Sequence, residues 1–336
     1  MSRVLIVLVN WNGWRDTVEC LESLLHLDYD KYRIALCDNG STDGSVKQIR
    51  NWAGRRRVGF AEYGRLEGEQ GGDRADDPVL TLIRSGENLG FAGGNNVGLR
   101  YGVARGDFAY FWLLNNDTVV EPDALASLVA RMQSDEAAGI CGSTIAYYED
   151  RRRVQALGGG LYCRWAGLPW HYGRFTLLDA VTPELQRRAE ARMNYVEGAS
   201  MLVSAKFLAE IGLMCEDYFL FFEEADWAAR AAGRFTIAYA PQSVVYHKVG
   251  RSIGTSSHPT GKSFTCDYYN IRNRILFTRR YCPVWLPTVY LVLLGELVLR
   301  ILLGRPDRGA MILRLMLCNT GGRPDLEGRC RSEAGP

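Results

Sequence analysis

The sequence predicts an α/β fold in which a mostly parallel, Rossmann-like sheet carries helices on both faces. Three features point to it. Short apolar runs rich in β-branched and aromatic residues recur through the first 120 positions, as strands buried on both faces require. Stretches with helical spacing separate them, which implies right-handed βαβ units. Polar clusters close the runs, where an open α/β sheet builds its ligand site.

Residues 3–9 (RVLIVLV) form the first such run, and residues 14–27 follow with Val18, Leu21, Leu24 and Leu25 at helical spacing. Residues 33–37 (RIALC) read as a second strand, ending in the turn Asp38-Asn39-Gly40-Ser41-Thr42-Asp43-Gly44, which also supplies an N-cap. Residues 55–78 are Gly- and charge-rich, and a surface loop is expected there. The rhythm resumes with a strand over 79–84, a Gly/Asn-rich loop over 86–96, and a helix near 97–104. Residues 108–114 (FAYFWLL) form another buried strand, and Pro122 suits the first turn of a helix reaching Met132. Further on, 142–148 reads as a strand and 158–175 as an aromatic, Gly-rich platform. Residues 219–222 (FLFF) precede a short helix opened by Glu223-Glu224-Ala225-Asp226 and closed by Gly233. Residues 235–240 and 244–247 read as two short strands, and 268–281 as a helix with arginines interleaved among apolar positions. No internal repeat is visible.

The 336 residues are 47% hydrophobic and 23% charged, as in an ordinary folded protein. The net charge of +2 hides an asymmetry: from Gly250 on there are 13 Lys/Arg against 6 Asp/Glu, a local +7 on a body near −5. Such a tail favours an anionic partner. The nine cysteines are scattered, with no C-x-x-C or zinc spacing, and residues 1–9 read as a strand and not as a signal peptide. A cytoplasmic location is therefore expected. Residues 284–303 are long enough to span a bilayer, yet Glu296 and Arg300 make a clean span costly. Flanking Arg279, Arg280, Arg305 and Arg308 favour a helix lying on an anionic membrane surface, peripheral to the inner face of the cytoplasmic membrane. A nucleic-acid partner is not expected, because the tail's arginines sit within long apolar runs.

The chemistry-bearing residues cluster. Asn10-Trp11-Asn12, Asp38 to Asp43, and Asn115-Asn116-Asp117 each close an apolar strand. Asp38 suits hydrogen bonds from a nucleobase or ribose, or an Asx-turn with Asn39 and Gly40. Asp117, after the most apolar strand, suits Mg²⁺ or Mn²⁺, hard cations that take oxygen ligands, or an N-cap for the helix after Pro122. His247, closing another strand, is a second ligand or a structural histidine. Glu223, Glu224 and Asp226 crowd three carboxylates behind an aromatic run, whose apolar wall would raise a carboxyl pKa as a general base requires; a solvated acidic first turn is the plainer reading. G-x-x-x-x-G-K-[ST] is absent, and Gly90-Phe91-Ala92-Gly93-Gly94 does not follow the first strand, so P-loop and dinucleotide chemistries are disfavoured.

Taken in order, the stretches VLIVLVN, CDNGSTDGS, ENLGFAGGNNVG, LLNNDT, EGASML, FLFFEEADW, 241–247 and YNIRNR resemble the family 2 glycosyltransferases. The branch they look most like is the rhamnosyltransferase-like enzymes of bacterial polysaccharide assembly, and the likeness spans roughly residues 1–280. It implies a GT-A fold with a nucleotide-sugar-binding half over 1–136, an acceptor-binding and base-carrying half over 137–262, and a helical, membrane-associating segment over 263–336. It implies inverting transfer from a nucleotide-diphosphate sugar, dTDP-rhamnose by branch, to a glycan or lipid-linked acceptor. Asn10, Asn12, Asp38, Asn39, Asn88, Gly93, Asn95, Asn115 and Asn116 would line the nucleotide site, and Asp117 and His247 would hold the metal. Glu224 falls where the family's usual base stands, with Glu223 or Asp226 able to share the role. Two departures stand out: Asn115-Asn116-Asp117 replaces Asp-x-Asp, and Glu224 replaces Asp. A sugar-phosphate nucleotidyltransferase would share the plan, but no Lys or Arg precedes Arg15 after the first strand. A non-catalytic nucleotide-sugar binder would leave the clustered acids without a task.

Overall fold

A computed structural model of the protein describes residues 1–249 and 263–317. Five parallel strands make the expected sheet: β1 (Val4–Asn10), β2 (Tyr32–Asp38), β3 (Phe60–Gly64), β4 (Leu80–Arg84) and β5 (Tyr110–Asn115). Helices α1 (Trp14–Leu24), α2 (Ser45–Arg56), α3 (Arg65–Glu69) and α4 (Gly90–Arg105) connect them. The sheet then turns mixed. It adds β6 (Thr118–Val120), helix α5 (Ala124–Gln133), β7 (Ala138–Tyr147) and β8 (Val154–Leu157). A separate antiparallel sheet follows, of β9 (Gly159–Cys163), β10 (Leu168–His171) and β11 (Tyr195–Val196), with α6 (Pro183–Arg192) between the last two. Strand β12 (Ser200–Ser204), α7 (Ala205–Ile211), α8 (Glu223–Ala231) and β13 (Thr236–His247) complete the body, and α9 (Phe264–Tyr281), α10 (Leu286–Leu302) and α11 (Pro306–Leu317) end the described chain. Across the large sheet the order is β3-β4-β2-β1-β5-β12-β7-β13-β6, with β8 on β7.

Continuous apolar strands do lie at the centre: Val4 to Leu8 of β1 are wholly buried between one layer holding α1, α2 and α5 and another holding α4 and α7. Two expectations need correction. Residues 55–78 are not a loop; α2 runs to Arg56, and β3 adds an edge strand on β4. An edge strand has one neighbour and a half-wet face, so Glu62 and Tyr63 sit in it without a run of apolar residues. Nor is 86–96 a loop leading to a helix at 97, since α4 already begins at Gly90. Its glycines lower helix propensity by up to about 1 kcal/mol each, but they let the helix lie against β1: a Cβ on Gly94 or Gly98 would stand 2.7 or 2.6 Å from Val9 or Val7. Close packing outweighs propensity here.

The two strands expected over 235–240 and 244–247 are one, β13, with an irregularity between Ala240 and Val244 beside Pro241. β13 pairs with β6, a strand too short to announce itself in sequence. That pairing sets His247 opposite Thr118 and so beside Asp117.

The C-terminal helices pack on one another through Ile271, Ile275, Val289, Leu293 and Ile312. Ion pairs lie between them. Arg274 bonds Glu296 at 2.7 Å and Arg300 bonds Asp267 at 3.0 Å, so both polar interruptions of α10 face α9. Among the described residues one helix, Pro283–Leu302, is long and apolar enough to cross a membrane. The seven cysteines of the described residues are all free thiols.

Candidate active site

The carboxyl ends of β1, β2 and β5 lie side by side, with Asn10 opposite Asp38 and Val9 opposite Asn115. Asn10, fully buried, donates through Nδ2 to Asp38 Oδ1 and Ser41 Oγ, each at 3.0 Å. Ser41 N–H reaches the second Asp38 oxygen at 3.2 Å. The Asx-type turn and a carboxylate aimed at the strand-end crevice therefore coexist, since each oxygen keeps a further lone pair. Asn39 binds across to the next loop, donating to Asn88 Oδ1 and Gly90 O and accepting from Leu89 N–H. Asn12, at φ 51°, spends its Oδ1 on the backbone N–H groups of Thr42 and Asp43. It shapes the loop that borders the crevice.

Asn116 donates to Thr17 Oγ at 2.8 Å, and Thr17 donates to Asn10 Oδ1 at 2.8 Å. This chain ties the loop after β5 to the first strand. Thr17, wholly buried on α1, is a member of the site that the sequence did not flag. Beyond it, Asp117 Oδ1 and His247 Nε2 lie 3.3 Å apart, both almost wholly buried. His247 Nδ1 is 3.0 Å from Gln155 Oε1. An Nδ1–H donated to Gln155 leaves the Nε2 lone pair toward Asp117, the orientation that ligating histidines adopt. Asn115 Nδ2 approaches the same ring at 3.5 Å. Burial lowers the His247 pKa, but Asp117 beside it more than offsets this and raises it overall. A carboxylate oxygen and an imidazole nitrogen 3.3 Å apart are donors that a divalent cation such as Mg²⁺ or Mn²⁺ would take. The residues present fit such an ion. Among the described residues no group of three or more His, Cys, Asp or Glu forms a self-sufficient metal cage.

The acids of α8 are delivered by a strained turn. Phe219, Phe221 and Phe222 have φ of 63°, 68° and 76°, left-handed values that cost roughly 1–2 kcal/mol apiece for residues with a side chain. The surroundings hold them there. Asn273 of α9 donates to the carbonyls of Tyr218, Leu220 and Phe221 at 2.8, 2.8 and 3.0 Å. Phe91 N–H bonds Phe219 O at 2.6 Å, and Phe219 stacks on Tyr269 with ring centroids 4.8 Å apart. Gly90, at φ +74°, must be glycine for this contact as well, since a Cβ would overlap the Phe219 carbonyl.

The three acids then part company. Asp226 has both oxygens engaged, one by Arg230 at 2.8 Å and one by the Tyr281 hydroxyl at 2.6 Å. The turn of the helix carries it into an ion pair with Arg230. Glu223 and Glu224 each keep an enclosed Oε2 without a hydrogen-bond partner. Burial pushes the Glu223 carboxyl up to about 7, and burial, with Glu223 and Glu197 nearby, raises Glu224 well above its ordinary range. Glu224 lies beside Gly198 and near Phe91. Glu197, unflagged by the sequence, acts electrostatically on both Glu224 and His247 and is held by His171 Nε2 at 3.1 Å. The loop it opens joins the two halves, since Gly198 lies beside Glu224 and Ala199 O accepts from Asn115 N–H at 3.0 Å. Of the other expected ligands, Asn95 is buried and donates to the Phe91 carbonyl within α4, and Gly93 abuts Leu89. Asn96 instead latches α4 to the loop before α8, through Met214 and Glu216.

A buried acid has a stability signature. Between its ordinary 4.5 and about 7, folded Glu223 keeps a proton that the unfolded chain releases, so stability falls as pH rises through that window. Glu223→Gln should remove the fall and gain up to about 3 kcal/mol over wild type at pH 8 relative to pH 4. Urea denaturation at both pH values measures it; parallel pH profiles for the two proteins would reject the assignment.

The sequence profile described as Glycosyl transferase family 2 matches residues 5–184. Comparison with curated protein sequences returned no match. Among solved structures, the mannosyltransferase PcManGT from Pyrobaculum calidifontis, in complex with GDP-Man and Mn²⁺, is similar at 16% identity with a TM-score of 0.56, over 99% of this chain and 79% of that one. GalNAc-T7 with UDP, GalNAc and Mn²⁺ is similar at 15% identity and a TM-score of 0.55, over 82% of this chain and 51% of that one. At such identities the likeness establishes the fold, which is that of the GT-A glycosyltransferases.

Proposed function

Because the chain belongs to glycosyl transferase family 2, we propose that it is an inverting enzyme moving a hexose, rhamnose from dTDP-rhamnose by branch resemblance, onto a glycan or lipid-linked acceptor. The observation that carries this reading is the 197–199 loop, where Gly198 lies beside Glu224 with its enclosed oxygen and Ala199 O accepts from Asn115 N–H at 3.0 Å, next to the Asp117–His247 pair. In this reading Asn10, Asp38, Asn39 and Asn88 surround the nucleoside, with Asn115 and Asn116 at the diphosphate. Asp117 and His247 would hold Mg²⁺ or Mn²⁺, which when bound supplies positive charge to the departing diphosphate. Both similar structures were solved with Mn²⁺ and a nucleotide or nucleotide sugar, which supports that part.

Glu224 is the base. Its Oε2 takes the proton of the acceptor hydroxyl as that oxygen bonds the anomeric carbon, while the bond to the diphosphate breaks and its electron pair leaves with the nucleotide. Attack from the face opposite the leaving group inverts the centre. A carboxyl with a raised pKa holds the proton it receives more readily than an exposed one. The body would work at the inner face of the cytoplasmic membrane, attached peripherally through α10 and the chain around it.

Thermal stabilisation by GDP-mannose, UDP-GalNAc and dTDP-rhamnose, each with Mg²⁺ or Mn²⁺, tests the reading. One donor should raise Tm only when metal is present, and Asp117→Ala should abolish that metal dependence. Failure of every donor with both metals would overturn it. Gln155→Leu should weaken Mn²⁺ binding by about 10–100-fold through loss of the histidine's orientation; calorimetric titration with Mn²⁺ plus the active donor reads it, and unchanged affinity would remove Gln155 from the site.

A further inference from the structure

The hairpin of β9 and β10 wears its apolar side outward. Leu161 pairs with Trp170 and Cys163 with Leu168 across the two strands, so these side chains share one face of the ribbon. Trp170 is 70% exposed, and Leu161 and Leu168 are also in solvent. At the tip Trp165 is 58% exposed. That tip is docked on the start of α10: Thr288 Oγ donates to the Trp165 carbonyl at 2.6 Å, and Gly167 lies against Val289. On the helix, Val284, Trp285 and Leu291 stand within one turn of Thr288 and are exposed, Val284 at 77% and Leu291 at 67%. The exposed stripe continues along α10 through Leu294, Val298 and Leu302, about 25 Å in all.

We infer that this hairpin and the outer stripe of α10 form one membrane-docking face, with Trp165, Trp170 and Trp285 as its interfacial anchors. The inference rests on the peripheral attachment proposed above and adds a second, non-helical contact from the body of the enzyme. A phospholipid surface suits the face better than a protein does. α10 has the length and composition of a membrane helix, its charged residues are turned inward onto α9, and what remains outward is an apolar stripe. Tryptophan is the side chain that settles at the headgroup level, with an apolar ring and one polar N–H. Arg164, exposed at the hairpin tip next to Trp165, matches anionic headgroups. The hairpin also reaches the site. Its last residue is His171, bonded to Glu197 at 3.1 Å. The hairpin thus links the docking face to the loop beside Glu224.

Flotation of the full chain with vesicles of phosphatidylcholine, alone and mixed with phosphatidylglycerol, tests this without any donor. The wild type should float with the anionic vesicles, and Trp165→Ser/Trp170→Ser should reduce recovery by about tenfold or more, because both rings lose apolar contact. Both residues are exposed, so Tm should stay unchanged in that variant. If Leu291→Ser/Val298→Ser abolishes flotation while the tryptophan variant floats as wild type, the hairpin inference fails and the peripheral attachment stands. If wild type does not float at all, or sedimentation shows a dimer that the tryptophan variant converts to monomer, the face is not a membrane surface.

Discussion

Glu224→Gln should lower turnover by about 10²–10⁴ while leaving donor binding in place, because the amide keeps the shape of the carboxylate and loses its ability to accept a proton. Glu224 is singled out from its neighbours by where the helix turn directs each acid. Asp226 is consumed by Arg230 and Tyr281. Glu223 also keeps an enclosed oxygen without a partner, but the charge that acts on it is that of Asp226. Glu224 has an enclosed oxygen without a partner and stands between Gly198 and the field of Glu197. The informative comparison is therefore among three single variants, Glu223→Gln, Glu224→Gln and Asp226→Asn, assayed with the donor that stabilises the protein. A Glu224→Gln enzyme with near-wild-type turnover, and a Glu223→Gln enzyme without any, would transfer the base role to Glu223.

The second large effect is expected far from the reacting atoms. Asn273→Ala should destabilise the protein by about 2–5 kcal/mol, since three backbone carbonyls of a buried turn lose their only side-chain donor at once. The turn is already held in left-handed conformations at three phenylalanines, so its relaxation has a ready direction. Turnover should fall as well, with donor affinity little changed, because the loosened segment carries Glu224 and not the nucleotide cradle. Asn273→Asp is the useful companion: it keeps the volume and removes the donors, and should behave like alanine or worse. Hydrogen exchange over residues 218–224 would localise the change. Unaltered Tm and exchange in Asn273→Ala would mean that the aromatic stacking of Phe219 on Tyr269 alone holds the turn.

Much of this arrangement could be read before folding. The central strands are buried on both sides, so they appear as unbroken apolar runs, and the polar clusters after β1, β2 and β5 fall at one sheet edge because parallel strands end together. The rest was hidden for identifiable reasons. The glycines of α4 look like a loop because their packing value exists only against Val7 and Val9. β3 is an edge strand and β6 has three residues, so neither carries a periodic signal. Thr17, Gln155, Glu197 and Asn273 gain their meaning from partners distant in sequence, as with Gln155 and His247, 92 positions apart. The partners of Asp226, Arg230 and Tyr281, were hidden in the same way, one on the next helical turn and one 55 positions away.

The pairing of β6 with the end of β13 also governs what a growing chain can do on the ribosome. Asn115 and His247 are separated by 132 positions, which at roughly 5–20 residues per second takes on the order of ten seconds to synthesise. During that interval the nascent protein owns the strand ends that carry Asn10, Asp38 and Asp117 but not the strand that carries His247. A chain cut short before β13 would thus keep one member of the Asp117–His247 pair and lack the other.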